Sequence, residues 1–529
     1  MSLELKVSRT FLYKMFTLVL AAALASCVGA ATEALLSWNI SAFAGKDNKG
    51  AVKILDRVVG FARKGKVHAI IGPSGSGKTS MLLALSETVP TKSLRLFGTL
   101  DHAEGSEIES LFVPQEDLFF AQLSSFETLE TSAALRAPLD SRSTRTSIVQ
   151  ETLFSLGLEK VSSTPVGDAK TRGLSGGEKK RLAIAQQLIG CRKGDSYKKD
   201  VLIFADECTS GLDAFQAKNV VNLLREMADR DGHTVITTIH QPRASVYELF
   251  DDVTLLSEGR VVYSGAREEL AGWFKSLGYA CPRSSTPAEF FLDLVSVDFS
   301  SRDAEKESRV RLHKLADAWL ERQRTSQSSS SSSGSGEQSA VVPRRRLSPL
   351  QEVRRIVSQF GTLFLRSFRQ ITRDKPLNMA RFMSGLFSAL LFGSIYTQLG
   401  SGAGTVPDRL GLLQVAAVNT AMTSLIKATT SFVQEKLIIN RERRSIAYPV
   451  LPYFVAKLAA EAPLAAVFPC MTGAIIYKLC GLNRSPGRLL TFLKILVAES
   501  FASSSLGMLV GSFAGKYSLF YQIEFESFL

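Results

Sequence analysis

Apolar residues are distributed unevenly along this chain. Up to about residue 300 charged and apolar residues are mixed, whereas after Arg381 long apolar runs dominate. Crossing a bilayer takes ~20 consecutive, mostly apolar residues, and such a segment does not share a solvent with a charged, mixed one. The chain must therefore fold as a water-exposed part joined to a membrane part. Its 529 residues leave room for both, with about two to four domains expected from length alone. The net charge is +13, and the cations gather beside apolar segments: "PRRRLSP" at Pro343–Pro349, Arg366 to Arg381, and "EKLIINRERRS" at Glu435–Ser445. Positive charge flanking spans marks the cytosolic side of a membrane protein. A nucleic-acid partner is not expected, since zinc-ligand spacings and aromatic-interleaved basic strands are missing from the sequence. The six cysteines, at 27, 191, 208, 281, 470 and 480, form no C-x-x-C pair, which argues against a metal site or a disulfide framework.

Four stretches follow from this reading. Residues 1–32 carry basic residues, an apolar stretch from Met15 to Ala25 and then small residues, as in a secretory or organelle-targeting leader; a short membrane-associated helix is the alternative. Residues 33–299 alternate strands and helices. "VHAIIG", "DVLIFADE" and "HTVITTIH" read as buried strands, which predicts an α/β domain with a largely parallel sheet. Residues 300–349 read as a linker: a charged, helix-like piece and then "TSQSSSSSSGSGEQS", too polar to fold. Residues 350–529 read as an all-α transmembrane domain. It opens with a basic amphipathic helix around Arg354–Thr372 and continues with about four spans, near Phe382–Leu399, Leu410–Phe432, Leu451–Cys480 (interrupted by prolines) and Leu489–Phe513.

Chemistry concentrates in the second stretch. "GPSGSGKTS", Gly72 to Ser80, fits G-x-x-x-x-G-K-[ST] between a strand and a helix. Gly72, Gly75 and Gly77 let backbone N–H groups approach phosphates around Pro73, Ser74, Ser76 and Ser80. Lys78 reaches the β- and γ-phosphates, and Thr79 offers a hydroxyl to Mg²⁺. "LIFADE" supplies Asp206 for the Mg²⁺ shell and Glu207 to polarise the attacking water. Further on, "GLSGGEKKRLAIAQQL" presents bare backbone at a helix start, a second place suited to an anion.

With "LSGGE" (Leu174–Glu178) the chain resembles the ATP-binding-cassette family, and companion motifs follow the family's order. "PQED" resembles the Q-loop, which makes Gln115 a residue touching Mg²⁺ and the membrane domain. "SGLD" resembles the D-loop, and "TIHQP" makes His240 the switch histidine at the γ-phosphate. The resemblance implies that ATP is sandwiched between two head-to-tail cassettes, with Ser175, Gly176 and Gly177 facing the nucleotide held by the other subunit's Lys78. One chain then carries half of each site and needs a second half-transporter, the same chain or another. "IHQPRASVYELFDDVTLLSEGRVVYSG" and "NRERRSIAYPVLPYFVAKLAAEAPLAAVFP" resemble the G subfamily, the white/pigment-precursor type of half-transporter, in its plant and algal form.

The resemblance implies ATP-driven transport, by family habit export, of amphipathic or lipid-like substrates, with the cassette on the cytosolic side of the plasma membrane or of an organelle envelope. The alternative is a truncated, non-transporting, membrane-anchored nucleotide-binding subunit or regulatory partner, because the family has six spans and about four are counted here. Cys208 stands where the family has proline, and a thiol beside the base is expected to tune or oxidise the site. Trp38 or Phe43 would touch adenine, unless both are core. Lys427, Glu461, Lys494 and Glu499 fall within apolar segments, either as a polar connection from the coupling helix to the pathway or as paired, snorkelling groups.

Overall fold

The computed structural model describes residues 34–44, 52–88, 94–103, 108–168, 171–189, 192–193, 196–197, 200–282, 286–327, 348–400, 402–445, 448–483 and 485–513. The expected leader and the serine-rich run lie outside these residues. Two compact units emerge. One comprises residues 1–117 and 175–343, the other residues 118–174 and 344–529.

The first unit is an α/β body. Strands β1 (Ala34–Ala44), β2 (Val52–Arg63) and β4 (Leu94–His102) form an antiparallel sheet in the order β2-β1-β4. A six-stranded sheet combines β3 (Val67–Ile71), β5 (Ile108–Val113), β6 (Asp200–Ala205), β7 (Thr234–Ile239), β8 (Asp252–Ser257) and β9 (Arg260–Ala266) in the order β9-β8-β3-β7-β6-β5. Every pairing in it is parallel except β8 with β9. All residues of β3, β7 and β8 are buried, the arrangement that calls for near-continuous apolar strands covered on both faces. Helices α1 (Lys78–Leu85), α4 (Gly176–Leu188) and α5 (Ala214–Asp231) belong to this body. Trp38 is core rather than a nucleotide contact: it is 2 % exposed and sits edge-on to His68. A Cβ at Gly60 would lie 2.7 Å from its ring.

Within the stretch expected to be a linker, Arg302–Gln327 forms helix α6. Leu312, Leu315, Ala316 and Trp319 are buried, Trp319 packs on Tyr263 of β9 at 5.0 Å, and Gln323 donates to the Val59 carbonyl of β2 at 3.3 Å. This segment is thus part of the α/β body.

The second unit is helical. It contains α2 (Ser125–Arg136), α3 (Arg142–Ser155), α7 (Pro349–Arg373), α8 (Lys375–Ile395), α9 (Val406–Ser445), α10 (Val450–Leu479) and α11 (Pro486–Phe513). Among the described residues three helices are long and apolar enough to cross a membrane, Val406–Arg443, Val450–Leu479 and Pro486–Phe513. The first expected span corresponds to α8, where only the part from Phe382 to Ile395 is helical and free of charge, short of the ~20 residues a crossing needs. Pro463 and Pro469 lie inside α10 without ending it. Small residues bring the long helices together: a Cβ at Gly507 would meet the Leu425 carbonyl at 2.6 Å, and Thr429 of α9 donates to the Gly507 carbonyl at 3.1 Å. Ser424 and Ser500 share a buried hydrogen bond of 2.9 Å.

Helix α2, although encoded inside the stretch expected to be the α/β domain, packs in this unit. Leu135 shares a core with Leu363 of α7, Ile439 of α9, and Tyr448, Tyr453 and Ala456. Glu127 accepts from Arg373 at 2.6 and 2.9 Å, and the Arg366 guanidinium lies 4.6 Å over the Phe120 ring.

Candidate functional site

Register places the chemistry. Ile71 pairs with Ile239, Thr237 with Ala205, and Ala205 with Val113. The residues that follow these four strands therefore emerge side by side at one sheet edge: the 72–77 loop, His240, Asp206–Glu207 and Gln115. The carboxyl ends of parallel strands are where such sheets bind ligands.

The 72–80 loop is shaped by what its glycines avoid. A Cβ at Gly72 would sit 2.1 Å from the Leu256 carbonyl oxygen, and Gly77 holds φ 98°, a conformation that side chains resist. A Cβ at Gly75 would meet nothing within 4 Å, so that backbone faces open space. Lys78, 5 % exposed, donates to the carbonyls of Gly72 and Pro73, each at 2.9 Å. Burial pulls its ammonium below the ordinary lysine value, against the opposing pull of Glu207 and Asp206. Ser76 is buried with its hydroxyl lacking a hydrogen-bond partner among the described residues. Ser74 is exposed, and Thr79 and Ser80 occupy the first turn of α1.

Asp206 is held from two sides. Thr238 donates to its carboxylate at 2.6 Å and Thr79 at 3.2 Å. Glu207 takes a left-handed φ of 43°, a conformation uncommon for a non-glycine residue. Its N–H donates to the Thr238 hydroxyl at 2.8 Å, and its carboxylate accepts from Gln115 at 2.7 Å. Lys180 of α4, 2 % exposed, donates to the Gln115 carbonyl at 2.5 Å and pairs with Asp117 at 3.1 Å. His240 stands exposed at the end of β7.

Thr238 and Lys180 were not expected from the sequence. For the first no local signal exists, because β7 reads TVITTI and threonine fills three of its six positions. For the second the signal is a lysine on the helix face shared with Ala183, Ile184 and Gln187.

At the start of α4, Ser175 and Glu178 form a reciprocal cap: the Glu178 carboxylate accepts from the Ser175 N–H at 2.8 Å and from its hydroxyl at 2.9 Å. Gly177 donates to the Gln216 side chain at 3.1 Å, and a Cβ at Gly176 would touch Leu212 at 3.0 Å. Among the described residues no hydrogen bond joins Ser175, Gly176 or Gly177 to the 72–80 loop. The structure thus joins Thr79, Asp206, Thr238, Glu207 and Gln115 by hydrogen bonds, seats Lys78 in the adjoining loop, and among the described residues makes no hydrogen bond from Ser175, Gly176 or Gly177 to that group.

The group suits a nucleoside triphosphate. The unsatisfied Ser76 hydroxyl, the lysine occupied only by its own loop's carbonyls and the open backbone at Gly75 all suit an incoming polyanion. Among the described residues no cluster of three His, Cys, Asp or Glu side chains suits a metal ion. One carboxylate, Asp206, beside one hydroxyl, Thr79, fits Mg²⁺, which relies on the nucleotide's own oxygens to complete its shell.

Comparison with known proteins agrees with the architecture. The sequence matches the "ABC transporter" family over residues 55–210 and "ABC-2 type transporter" families over residues 240–332 and 358–524. It is 41 % identical to ABC transporter G family member 7 of Arabidopsis thaliana, over 88 % of this chain and 64 % of that protein. It is 30 % identical to the broad substrate specificity ATP-binding cassette transporter ABCG2 of Sus scrofa, over 87 % of this chain and 72 % of that protein. Identity to Protein white of Ceratitis capitata is also 30 %, over 85 % of this chain and 66 % of the relative.

Proposed function

This chain belongs to the G family of ATP-binding-cassette half-transporters, integral membrane proteins of the ABC-2 type, and on that premise we propose that it hydrolyses ATP to drive export of an amphipathic or lipid-like substrate. The observation that carries the hydrolytic part of this reading is the joint hold on Glu207 by Thr238 and Gln115, with Asp206 and Thr79 on the same threonine's other side; the transport part is supported by the family and the long apolar helices.

ATP would place its phosphates along the 72–77 backbone, and Lys78 would trade two carbonyls for the β- and γ-phosphates. Thr79, Asp206 and Gln115 would hold Mg²⁺, which supplies charge neutralisation to the phosphates. Glu207 orients the attacking water and accepts its proton, and His240 contacts the γ-phosphate. The isolation of Ser175–Gly177 from their own chain's loop favours a dimer in which each helix start completes the partner's site. ATP must then bind the closed dimer better than the open one, since only differential affinity shifts the equilibrium.

Movement at Gln115 would pass along the chain into α2. That helix is clamped to α7 through Glu127 and Arg373 and shares a core with Tyr448 and Tyr453 at the head of α10.

The test is Glu207→Gln in purified protein. ATP binding should persist, while turnover should fall by ~10²-fold or more, the scale of a lost general base. Retained turnover would contradict the assigned base.

A further inference from the structure

One side chain joins the start of α4 to the base of this chain's own site. Ser175 and Gly176, proposed to reach the partner's nucleotide, are exposed at the head of that helix. Lys180 lies five residues further along the chain, a distance of ~7.5 Å up a helix axis. It is 2 % exposed. Among the described residues its ammonium has two partners, both on the stretch that follows β5: the Gln115 carbonyl at 2.5 Å and the Asp117 carboxylate at 3.1 Å. Gln115 in turn donates its side-chain amide to Glu207 at 2.7 Å. The path therefore runs from the helix start, through Lys180, to the backbone of the residue whose side chain holds the base.

Burial makes this path hard to break. An ammonium removed from water and then stripped of its partners is costly, more so than shifting a short stretch of loop. Gln115 and Glu116 are exposed, so the loop has room to follow. The helix end is held as one piece: Lys179 donates its N–H to the Ser175 carbonyl at 2.9 Å, and Glu178 closes the cap on Ser175. A lysine that only anchored α4 would be satisfied by Asp117. The bond to the Gln115 carbonyl is what connects the helix to Glu207.

We propose that Lys180 is a positioning residue that couples the two ATP sites of a dimer. Nucleotide held by the partner draws on Ser175 and Gly176 and shifts α4. Lys180 carries the shift to Gln115, which resets its hold on Glu207 in the same chain. Each site thereby responds to whether the other is filled. This rests on the shared-site reading and adds a route to it.

The test is the initial rate of hydrolysis against ATP concentration, measured on the purified dimer in lipid nanodiscs. The wild type should give a Hill coefficient of about 1.5 or more, with the two sites setting the ceiling. Lys180→Met should bring that coefficient to about 1 and lower turnover about tenfold, the scale of one charge-assisted hydrogen bond. Lys180→Arg should restore both. Poorer folding would lower turnover through fewer active molecules and leave the Hill coefficient where it was, so the coefficient separates positioning from a structural role. Should Lys180→Met bind no ATP, Lys180→Gln, which keeps one donor, is read in its place. A wild-type coefficient of about 1, or an unchanged one in the variant, would overturn the coupling; the first reads the wild type alone and needs no folded variant. Hydrolysis that is abolished by Glu207→Gln but shows no cooperativity sinks the coupling and leaves the ATPase reading standing. Turnover retained in Glu207→Gln sinks the assigned base, while the wild-type and Lys180→Met coefficients still report whether Lys180 links the sites.

Discussion

Thr238 is the residue on which two carboxylates depend. Its hydroxyl donates to Asp206 and accepts from the Glu207 N–H, so one side chain fixes both the acid proposed for the metal side and the left-handed backbone of the proposed base. Thr238→Val should lower hydrolysis by about tenfold to a hundredfold with ATP affinity little changed, and Thr238→Ser should restore most of it; steady-state turnover alongside nucleotide binding separates the two. Cys208 behaves unlike the reactive thiol expected from the sequence. It is fully buried and lies 3.4 Å from the Thr237 hydroxyl, and burial pushes its thiol above the ordinary range. Thiolate is the reactive form, so raising the thiol's pKa removes reactivity. Maleimide followed by mass spectrometry should leave Cys208 unmodified in native protein and label it only after denaturation.

At the scale of elements, β3 carries a pH sensor for folding. His68 is buried, bonded to Thr254 at 2.8 Å, and lowered to about 4 by burial, with Asp252 opposing and Arg63 assisting. The unfolded chain binds the proton near pH 6.5 and the folded one does not, so stability is intact above that pH and erodes as pH falls toward 4. The loss should reach on the order of 3 kcal/mol, and His68→Gln should flatten the slope of melting temperature against pH over that window. Helix α2 shows one carboxylate doing two jobs. Glu127 caps its own helix by accepting from the Ser124 N–H at 3.0 Å and also binds Arg373. Hydrogen bonds and charge from Arg373, with Arg369 and the cap, hold its carboxyl below the usual range despite partial burial. Glu127→Gln keeps a capping acceptor but drops the ion pair, so basal ATP hydrolysis should persist while ATP-driven substrate movement, measured as uptake into inside-out vesicles, falls. The buried strands were legible because β3 and β6 are mostly apolar runs and β7 is rich in β-branched residues, and the phosphate loop because its glycines and lysine lie close together in sequence. Helix α6 was read as linker because its charged residues outnumber its apolar ones. Even so, Leu312, Leu315, Ala316 and Trp319 carry the spacing of a helical stripe. Thr238 was not legible because a threonine in a buried strand is ordinarily satisfied by the strand itself.

At the scale of the whole molecule, the separation of Ser175–Gly177 from their own chain's loop leads to a complementation test. Lys78→Met and Ser175→Arg should each abolish hydrolysis when present in every copy. Mixing the two inactive chains should restore a measurable fraction, because a mixed dimer keeps one intact site made from the unaltered halves; no recovery in a verified mixed dimer would exclude the shared site. Legibility at this scale failed in one respect: residues 118–174 sit within the cassette in sequence, yet their helix α2 shares its core with α7, α9 and α10, and long-range packing of this kind leaves no local signal. That arrangement bears on any attempt to build hybrids between relatives. Exchanging residues 33–299 as one block would carry away α2 together with its fitted surface and strand the donor's Leu135 and Glu127 against foreign neighbours. A functional hybrid calls for cuts on both sides of the inserted helices, so that they travel with the membrane helices they were shaped for.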